Sequence, residues 1–422
     1  MIKTLILGSG AREHALARKI SESKRLEKLY ISPGNPGTEG LGENVDIGND
    51  FESIAEFVIS KEVNMVIIGP EQPLVDGIWD YFDSDERLKD VLVVGPSQKA
   101  AMLEGSKDFA KEFMSRFNIP TAKHKTFTKE EIKEGKEFLE SLNPPYVLKA
   151  DGLAAGKGVI ISSDLKEAKE ALVDMLENEK FGKSSSKVII EEYLDGEECS
   201  VFVITDSSSY KLLPVAKDYK RIGDGDTGLN TGGMGAVSPV RFADKEFIKK
   251  VEDRIIRPTL MGLREENIFY QGFIFFGIMN VDGNPYMIEY NVRLGDPEAE
   301  SILPRIKSDL LDTLESLRTK SLSKQEIEID PRYSVSIIMA SGGYPEEFEK
   351  GKLIKGHEFI NNSIVFHAGT KKDEEGNLLT NGGRVMAITS LGYTLHQALK
   401  IGYENVEKIE WENKYYRKDI GK

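Results

Sequence analysis

Apolar positions in the first hundred residues fall into short runs separated by longer amphipathic stretches. Thr4–Leu7, Lys28–Ile31, Met65–Ile68 and Val91–Val94 have strand length, and residues 12–22, 51–61 and 74–83 repeat their apolar positions at helical spacing. Strand–helix alternation of this kind predicts an open parallel sheet covered by helices. Each strand runs into glycine or proline: Gly8-Ser9-Gly10, Ser32-Pro33-Gly34-Asn35-Pro36-Gly37, Gly69-Pro70-Glu71 and Gly95-Pro96. Such sheets bind ligands at the carboxyl ends of their strands. Four polar turns are therefore expected on one rim.

The pattern then changes. A helix over Lys107–Phe117 is broken by Asn118-Ile119-Pro120. Residues 121–195 read as a small strand–helix–strand unit: Tyr146–Lys149, Val159–Ser162, a helix near 164–178, and Val188–Glu192. Residues 197–317 open with strands at Ser200–Ile204, Lys211–Ala216, Phe273–Asn280 and Pro285–Asn291 and end in a helix. Asp282-Gly283 between the last two is a hairpin signal. After the polar stretch Ser321–Asp330 come strands at Tyr333–Ala340 and Arg384–Thr389 and a helix near 394–409. The predicted class is multidomain α/β and α+β, divided at 1–103, 104–120, 121–195, 196–328 and 329–422.

Composition removes whole classes of function. With 422 residues and a formal net charge of −14, the surface repels phosphate polymers, which argues against nucleic acid and anionic membrane as partners. No apolar run reaches the length of a membrane-spanning helix. One cysteine, Cys199, precludes an internal disulfide and suits a cytoplasmic setting. Five histidines show no zinc spacing.

Against that background, local basic and glycine-rich motifs stand out. Lys149-Ala150-Asp151-Gly152-Leu153-Ala154-Ala155-Gly156-Lys157-Gly158 lies between two strands. Its small residues let backbone N–H groups approach an anion, and two lysines add charge. It is not a Walker A loop: the glycine spacing is one residue short, and Gly158 stands where Ser or Thr would be required. A flexible hairpin tip is the plainer alternative. Glu191-Glu192-Tyr193-Leu194 could read a nucleotide base, with a carboxylate a few residues on for ribose hydroxyls; a solvated acidic turn is the alternative. Glu289, Asn291 and Arg293 alternate along one strand and so share a face. Glutamate and asparagine offer the oxygen ligands magnesium prefers, and arginine can hold a phosphoryl group or carboxylate. The glycine-dense stretch 217–235 reads as a functional loop, with a lid as one role. Gly8-Ser9-Gly10-Ala11-Arg12-Glu13-His14 approximates a dinucleotide fingerprint, but Glu13 occupies the third glycine position, which disfavours an oxidoreductase. His14 is expected as a surface or capping residue, and Cys199 as core.

Taken in order, GSGAREHALA, PGNPGT, GPEQPLVDG, LEGSKDFAKEF, KADGLAAGKGV, EEYLDGEE, DTGLNTGGMGAVSP, IEYNVRLGDPE, ASGGYP, FHAGT and NGGRV resemble the phosphoribosylamine–glycine ligase family of the ATP-grasp superfamily. The resemblance runs from residue 2 to about 421. It implies an N-terminal sugar-phosphate-binding domain, a two-part ATP-grasp centre (lid 121–195, core 196–328) and a small C-terminal α+β domain. It implies a ligase joining glycine to 5-phosphoribosylamine through glycyl phosphate, with ATP and Mg2+ or Mn2+. ATP would contact Lys107, Lys149, Gly152, Ala155, Gly156, Lys157, Gly158, Glu191, Glu192, Tyr193, Leu194 and Glu198. The metal would be held by Glu289 and Asn291. Gly10, Arg12, Glu13, Asn35, Gly37, Glu71, Asp218 and Arg293 would take the other substrates, with Arg293, Asp218 and Lys149 catalytic. A different ATP-grasp ligase of purine metabolism, using formate or bicarbonate, is the alternative within this fold. A non-catalytic nucleotide sensor is disfavoured by the presence of both lysines and both metal ligands. A monomer is expected, with a dimer left open.

Overall fold

The structure, a computed structural model, describes residues 1–153 and 158–422. Ala154, Ala155, Gly156 and Lys157, including three of the residues expected to cover the nucleotide, lie outside the described residues. Among the described residues no helix is long and apolar enough to cross a membrane.

Ile2–Gly8, Leu26–Pro33, Glu43–Asn44, Met65–Ile68 and Leu92–Val94 form an all-parallel sheet. The strand Ile2–Gly8 is central, flanked by Leu26–Pro33 on one side and Met65–Ile68 on the other. The chain order reverses there, so the turns after Gly8 and Ile68 diverge and leave a crevice at the strand ends. The amphipathic stretch expected over 74–83 is two short helices, Glu71–Val75 and Ile78–Ser84, because Gly77 at φ 93° breaks the run.

A four-stranded antiparallel sheet follows, ordered His124–Phe127, Val188–Glu192, Tyr146–Ala150, Val159–Ser162. With helices Ile132–Glu140 and Leu165–Glu177 it encloses its own core, built on Phe127, Leu139, Leu148, Leu172 and Ile190. His124–Phe127 and Ile132–Glu140 escaped the sequence pattern. The strand reads His124, Lys125, Thr126, Phe127, and only Phe127 of the four is buried.

Glu197–Thr205, Tyr210–Leu212, Gly272–Val281 and Asn284–Asn291 make a second four-stranded sheet, in which Gly272–Val281 pairs with both Glu197–Thr205 and Asn284–Asn291. Asp282 and Gly283, at φ 50° and 79°, turn the hairpin in the left-handed region that a tight antiparallel connection requires. Cys199, Val201, Ile274 and Phe276 pack in one continuous core with Leu5, Val66 and Phe82 of the N-terminal sheet. Cys199 is buried, as expected.

The last sheet crosses the division expected at 328/329. Gly235–Ser238 pairs with Tyr333–Ser341, which pairs with Arg384–Gly392, and that in turn with Ser363–His367. The 217–235 stretch is likewise not a free excursion. Arg221–Gly223 and Thr227–Asn230 form a hairpin tied to the C-terminal segment. The fully buried Arg417 donates to Asp226 Oδ1 (2.7 Å) and to the Arg221 carbonyl (3.0 Å), and Gly225 N–H donates to Asp419 Oδ2 (2.7 Å).

Candidate active site

Where the small sheet meets the second, three lysines gather around one carboxylate. Glu191 closes Val188–Glu192; its Oε2 lies 3.1 Å from Lys149 Nζ and 3.2 Å from Lys111 Nζ. All three are buried. Burial would raise the Glu191 carboxyl, but Lys149 and Lys111 more than offset it and hold it below the usual carboxylate range. Burial brings the Lys111 ammonium down to about 8 against the pull of Glu191. Lys107 Nζ donates to the Gly152 carbonyl (3.0 Å), and burial lowers its pKa against the opposing pull of Glu289. Ser106 and Asp151 anchor this corner: Ser106 Oγ donates to Asp151 Oδ1 (3.0 Å), which also accepts from Asp108 N–H (2.8 Å) at the start of Lys107–Arg116. A negative side chain at a helix N-terminus is favourable.

A polar path leads from these lysines to the expected metal ligands. Lys111 Nζ donates to Thr121 Oγ1 (2.7 Å), and Thr121 Oγ1 to the Met287 carbonyl (2.7 Å), two residues before Glu289. Glu289 lies 3.9 Å from Lys220 Nζ, and Lys220 also pairs with Glu198. Burial would raise Glu289; Lys220, Lys149, Lys107 and Arg293 together hold it ionised. Among the described residues the Asn291 amide nitrogen is buried without a hydrogen-bond partner. Two oxygen donors of this kind fit Mg2+, which takes one or two protein ligands and completes its shell with phosphate oxygens and water. Among the described residues no cluster of three or more His, Cys, Asp or Glu forms a closed cation cage.

Beside Glu289 the charge balance inverts. Among the described residues Asp218 Oδ1 is buried without a partner; burial and Glu298 raise this carboxyl well above the usual range, although Lys220 opposes. Glu298 is buried, accepts from Ser200 Oγ (2.8 Å), and is likewise raised by burial. Glu192 faces away, its Oε1 accepting from Lys123 N–H (2.8 Å), while Tyr193 is exposed.

The N-terminal turns form the far rim. Arg293 Nη2 pairs with Glu104 Oε1 (2.6 Å) and Nε lies 3.3 Å from Glu71 Oε2. Glu104 Oε2 also accepts from Val292 N–H (2.7 Å). Arg12 Nε pairs with Glu13 Oε1 (2.7 Å), and Glu13 Oε2 accepts from Gly10 N–H (2.6 Å). A Cβ at Gly8 or Gly10 would fall 2.6 and 2.8 Å from the Glu13 side chain. Glu13 thus fills the volume that a third glycine leaves open in a dinucleotide site. Asn35 holds its own turn: Nδ2 donates to the Ser9 carbonyl (2.8 Å) and the His367 carbonyl (2.9 Å), and Oδ1 accepts from Gly37 N–H (2.9 Å). Gly37 has no room for a side chain, since a Cβ would lie 2.7 Å from His367 Cδ2.

His14 departs from expectation. It is buried at the contact with the C-terminal sheet, edge-on to Phe366, and its Nδ1 accepts from His367 N–H (2.9 Å). Burial drops His14 to about 3 and His367 to about 4. The residues that the sequence reading missed are Lys111, Glu104, Lys220, Asp296 and Arg384. Lys111 lies one helical turn beyond Lys107, Asp296 sits inside the constrained turn after Arg293, and Arg384 belongs to NGGRV. Lys220 and Glu104 carried no signal of their own.

Lysines from a small antiparallel sheet and the helix before it, set against carboxylate and amide oxygens from a second antiparallel sheet, define an ATP-grasp enzyme. Models of the three phosphoribosylglycinamide synthetase domains match the chain in order: the N domain at 2–104, the ATP-grasp (A) domain at 105–299 and the C domain at 334–422. The chain belongs to the phosphoribosylglycinamide synthetase family. It is 42% identical over 420 residues to the phosphoribosylamine–glycine ligase of Caldanaerobacter subterraneus subsp. tengcongensis, covering 99% of both chains. It is 43% identical to the bifunctional purine biosynthetic protein PUR2,5 of Pichia angusta, spanning 99% of this chain but only 53% of that longer protein. The crystal structure of phosphoribosylamine–glycine ligase from Thermotoga maritima superposes with a TM-score of 0.86 at 35% identity, covering 99% of this chain and 100% of that one.

Proposed function

We infer that this chain catalyses the ATP-dependent ligation of glycine to 5-phosphoribosylamine, giving glycinamide ribonucleotide, ADP and phosphate in purine biosynthesis. ATP is used with Mg2+, and the same oxygen donors suit Mn2+. The carrying observation is the path Lys149–Glu191–Lys111–Thr121–Met287, which joins Lys149 of the small sheet and Lys111 of the helix Lys107–Arg116 to the strand that carries Glu289 and Asn291.

A carboxylate is a poor electrophile, so we assign a glycyl phosphate intermediate. Lys107 and Lys149 would balance charge on the phosphates, and the loop around Gly152 and Gly158 would follow them. Glu191 to Leu194 would receive the base and Glu198 the ribose. Glu289 and Asn291 would hold the metal, which neutralises phosphate charge during transfer. Asp218 lies among carboxylates, where a substrate ammonium is favoured. Arg293, held by Glu71 and Glu104, would present its charge at the rim between the ATP-grasp core and the N-terminal turns. Gly10, Arg12, Glu13, Asn35, Gly37 and Glu71 would shape the phosphoribosylamine rim. Here Glu13 and Asn35 act by fixing backbone N–H groups. No protein nucleophile is needed; Cys199 is buried and burial pushes its thiol up. A cytoplasmic, monomeric enzyme fits this chemistry.

Release of ADP and phosphate should require glycine and phosphoribosylamine together. Turnover that persists with glycine omitted, or that responds to formate or bicarbonate instead, would sink the assignment. Hydroxylamine should trap a glycyl hydroxamate if glycyl phosphate forms.

A further inference from the structure

Glu300 sits in Glu298–Ile302 with no exposure at all, and among the described residues no donor reaches either carboxyl oxygen in bonding geometry. Its polar neighbour is Asp296, four residues earlier, a spacing that brings side chains together at the start of a helix. The two carboxyls differ sharply in their other company. Asp296 Oδ1 lies 3.0 Å from Arg384 Nη2, and Arg12 faces it from Ala11–Ser21. Arg384 Nη1 further donates to the carbonyls of Asp296 (2.8 Å) and Gly232 (2.6 Å), so this pair also pins the glycine turn beside Asp218. Among the described residues Glu300 has no cation in bonding contact, and the adjoining strands Gly235–Ser238 and Tyr333–Ser341 contain no charged residue. Arg305, on the turn that follows, points instead to Ser238 and the Asp330 carbonyl.

Two adjacent carboxylates sharing one set of cations cannot both be ionised cheaply in a buried site. The proton belongs on the member without a cation. We propose that Glu300 is a positioning residue: a neutral carboxylic acid that donates its O–H to Asp296 and so fixes the Asp296 carboxylate between Arg384 and Arg12 at the phosphoribosylamine rim. Burial and Asp296 both push the Glu300 carboxyl well above its ordinary range, while Arg384 and Arg12, against the cost of burial, keep Asp296 below its own. Ionisation of Glu300 at alkaline pH would set two negative charges side by side and loosen the hold of Asp296 on Arg384. The positioning role rests on the reading of this rim as the amine-substrate site; the protonation state does not.

The test compares full-length Glu300→Gln and Glu300→Ala with wild type. Glutamine keeps a donor toward Asp296 without an ionisable proton, so E300Q should hold turnover and the KM for phosphoribosylamine within about threefold of wild type. It should also lose part of the alkaline fall in activity. E300A leaves Asp296 without that donor and should raise the KM for the amine roughly tenfold or more with the KM for ATP little changed. An infrared difference spectrum of wild type minus E300Q at neutral pH should contain one protonated-carboxyl band, whether or not E300A folds. Absence of that band overturns the proposal, as does an E300Q enzyme as impaired as E300A. If the band is present but wild type shows no glycine- and phosphoribosylamine-dependent turnover, the functional reading fails and the shared proton stands.

Discussion

Two partly buried clusters flank the junction of the ATP-grasp halves, and they are built with opposite excess charge. On one side Lys107, Lys111 and Lys149 outnumber Glu191. On the other Asp218, Glu198, Glu289 and Glu298 outnumber Lys220. Each is driven toward neutrality by burial, in the direction its excess dictates: Lys107 and Lys111 fall, while Asp218 and Glu298 rise. The minority groups behave oppositely, Glu191 below its usual range and Lys220 above, and Glu289 stays low with them because Lys220, Lys149, Lys107 and Arg293 all face it. A cationic pole suits a triphosphate, and an anionic pole suits a divalent cation and an ammonium group. The two excesses are carried by different elements: the small sheet and the helix Lys107–Arg116 on one side, and the strands and helix that carry Glu198, Asp218, Glu289 and Glu298 on the other.

If that division is right, substitutions on the two sides should part company in what they damage. The largest effect is expected from Lys149→Met, which removes a charge proposed to balance the phosphates and leaves Glu191 with Lys111 alone. Turnover should fall by roughly 10²–10³, read as ADP release, and a loss below threefold would break the comparison on the cationic side. Glu289→Gln should lower turnover by about 10² and shift the magnesium requirement upward, with the circular dichroism spectrum unchanged. Near-normal rates at saturating magnesium would remove Glu289 from the metal site. Asp218→Asn should act on the acidic pole alone. It should raise the KM for glycine roughly tenfold, leave the KM for ATP almost unmoved, and stabilise the ligand-free protein by about 1 kcal/mol by relieving buried like charge. An equal rise in both KM values would mean the poles are not separate.

The smallest effect lies outside both poles, at the contact between N- and C-terminal regions. His14 and His367 are neutral in the folded chain, with values of about 3 and 4 against 6.5 for a free imidazole. The unfolded chain binds protons first, so the stability of the neutral pair is complete above about pH 6.5 and is lost as pH falls from there toward 4. The Tm should drop over that window, and His14→Gln should flatten the drop. A variant with the wild-type slope would show that the histidines do not set it.

Much of the molecule could be read from local pattern. Met65–Ile68, Val159–Ser162 and Val188–Glu192 appear where apolar runs and flanking glycines place them. Where local pattern was weak, elements were missed. His124–Phe127 belongs to a sheet only because Val188–Glu192 pairs with it. At the site, Lys107, Lys149, Glu289 and Asn291 stood out because their motifs are compact in sequence. Lys220 and Glu104 did not, since each acts on partners more than 20 residues away through side-chain contacts that no spacing rule encodes.

The chain's own order of residues determined its element types, its glycine-rich turns and the family motifs that carry the chemistry. Those are short-range consequences of backbone preference and side-chain periodicity. Only the folded arrangement decided that Gly235–Ser238 joins the C-terminal sheet, that His14 is buried, and that Asp296, Glu300 and Arg384 meet. It also decided which acids and bases keep their charge. Desolvation and the company of distant charges set those states, and both depend on what covers a residue rather than on what precedes or follows it.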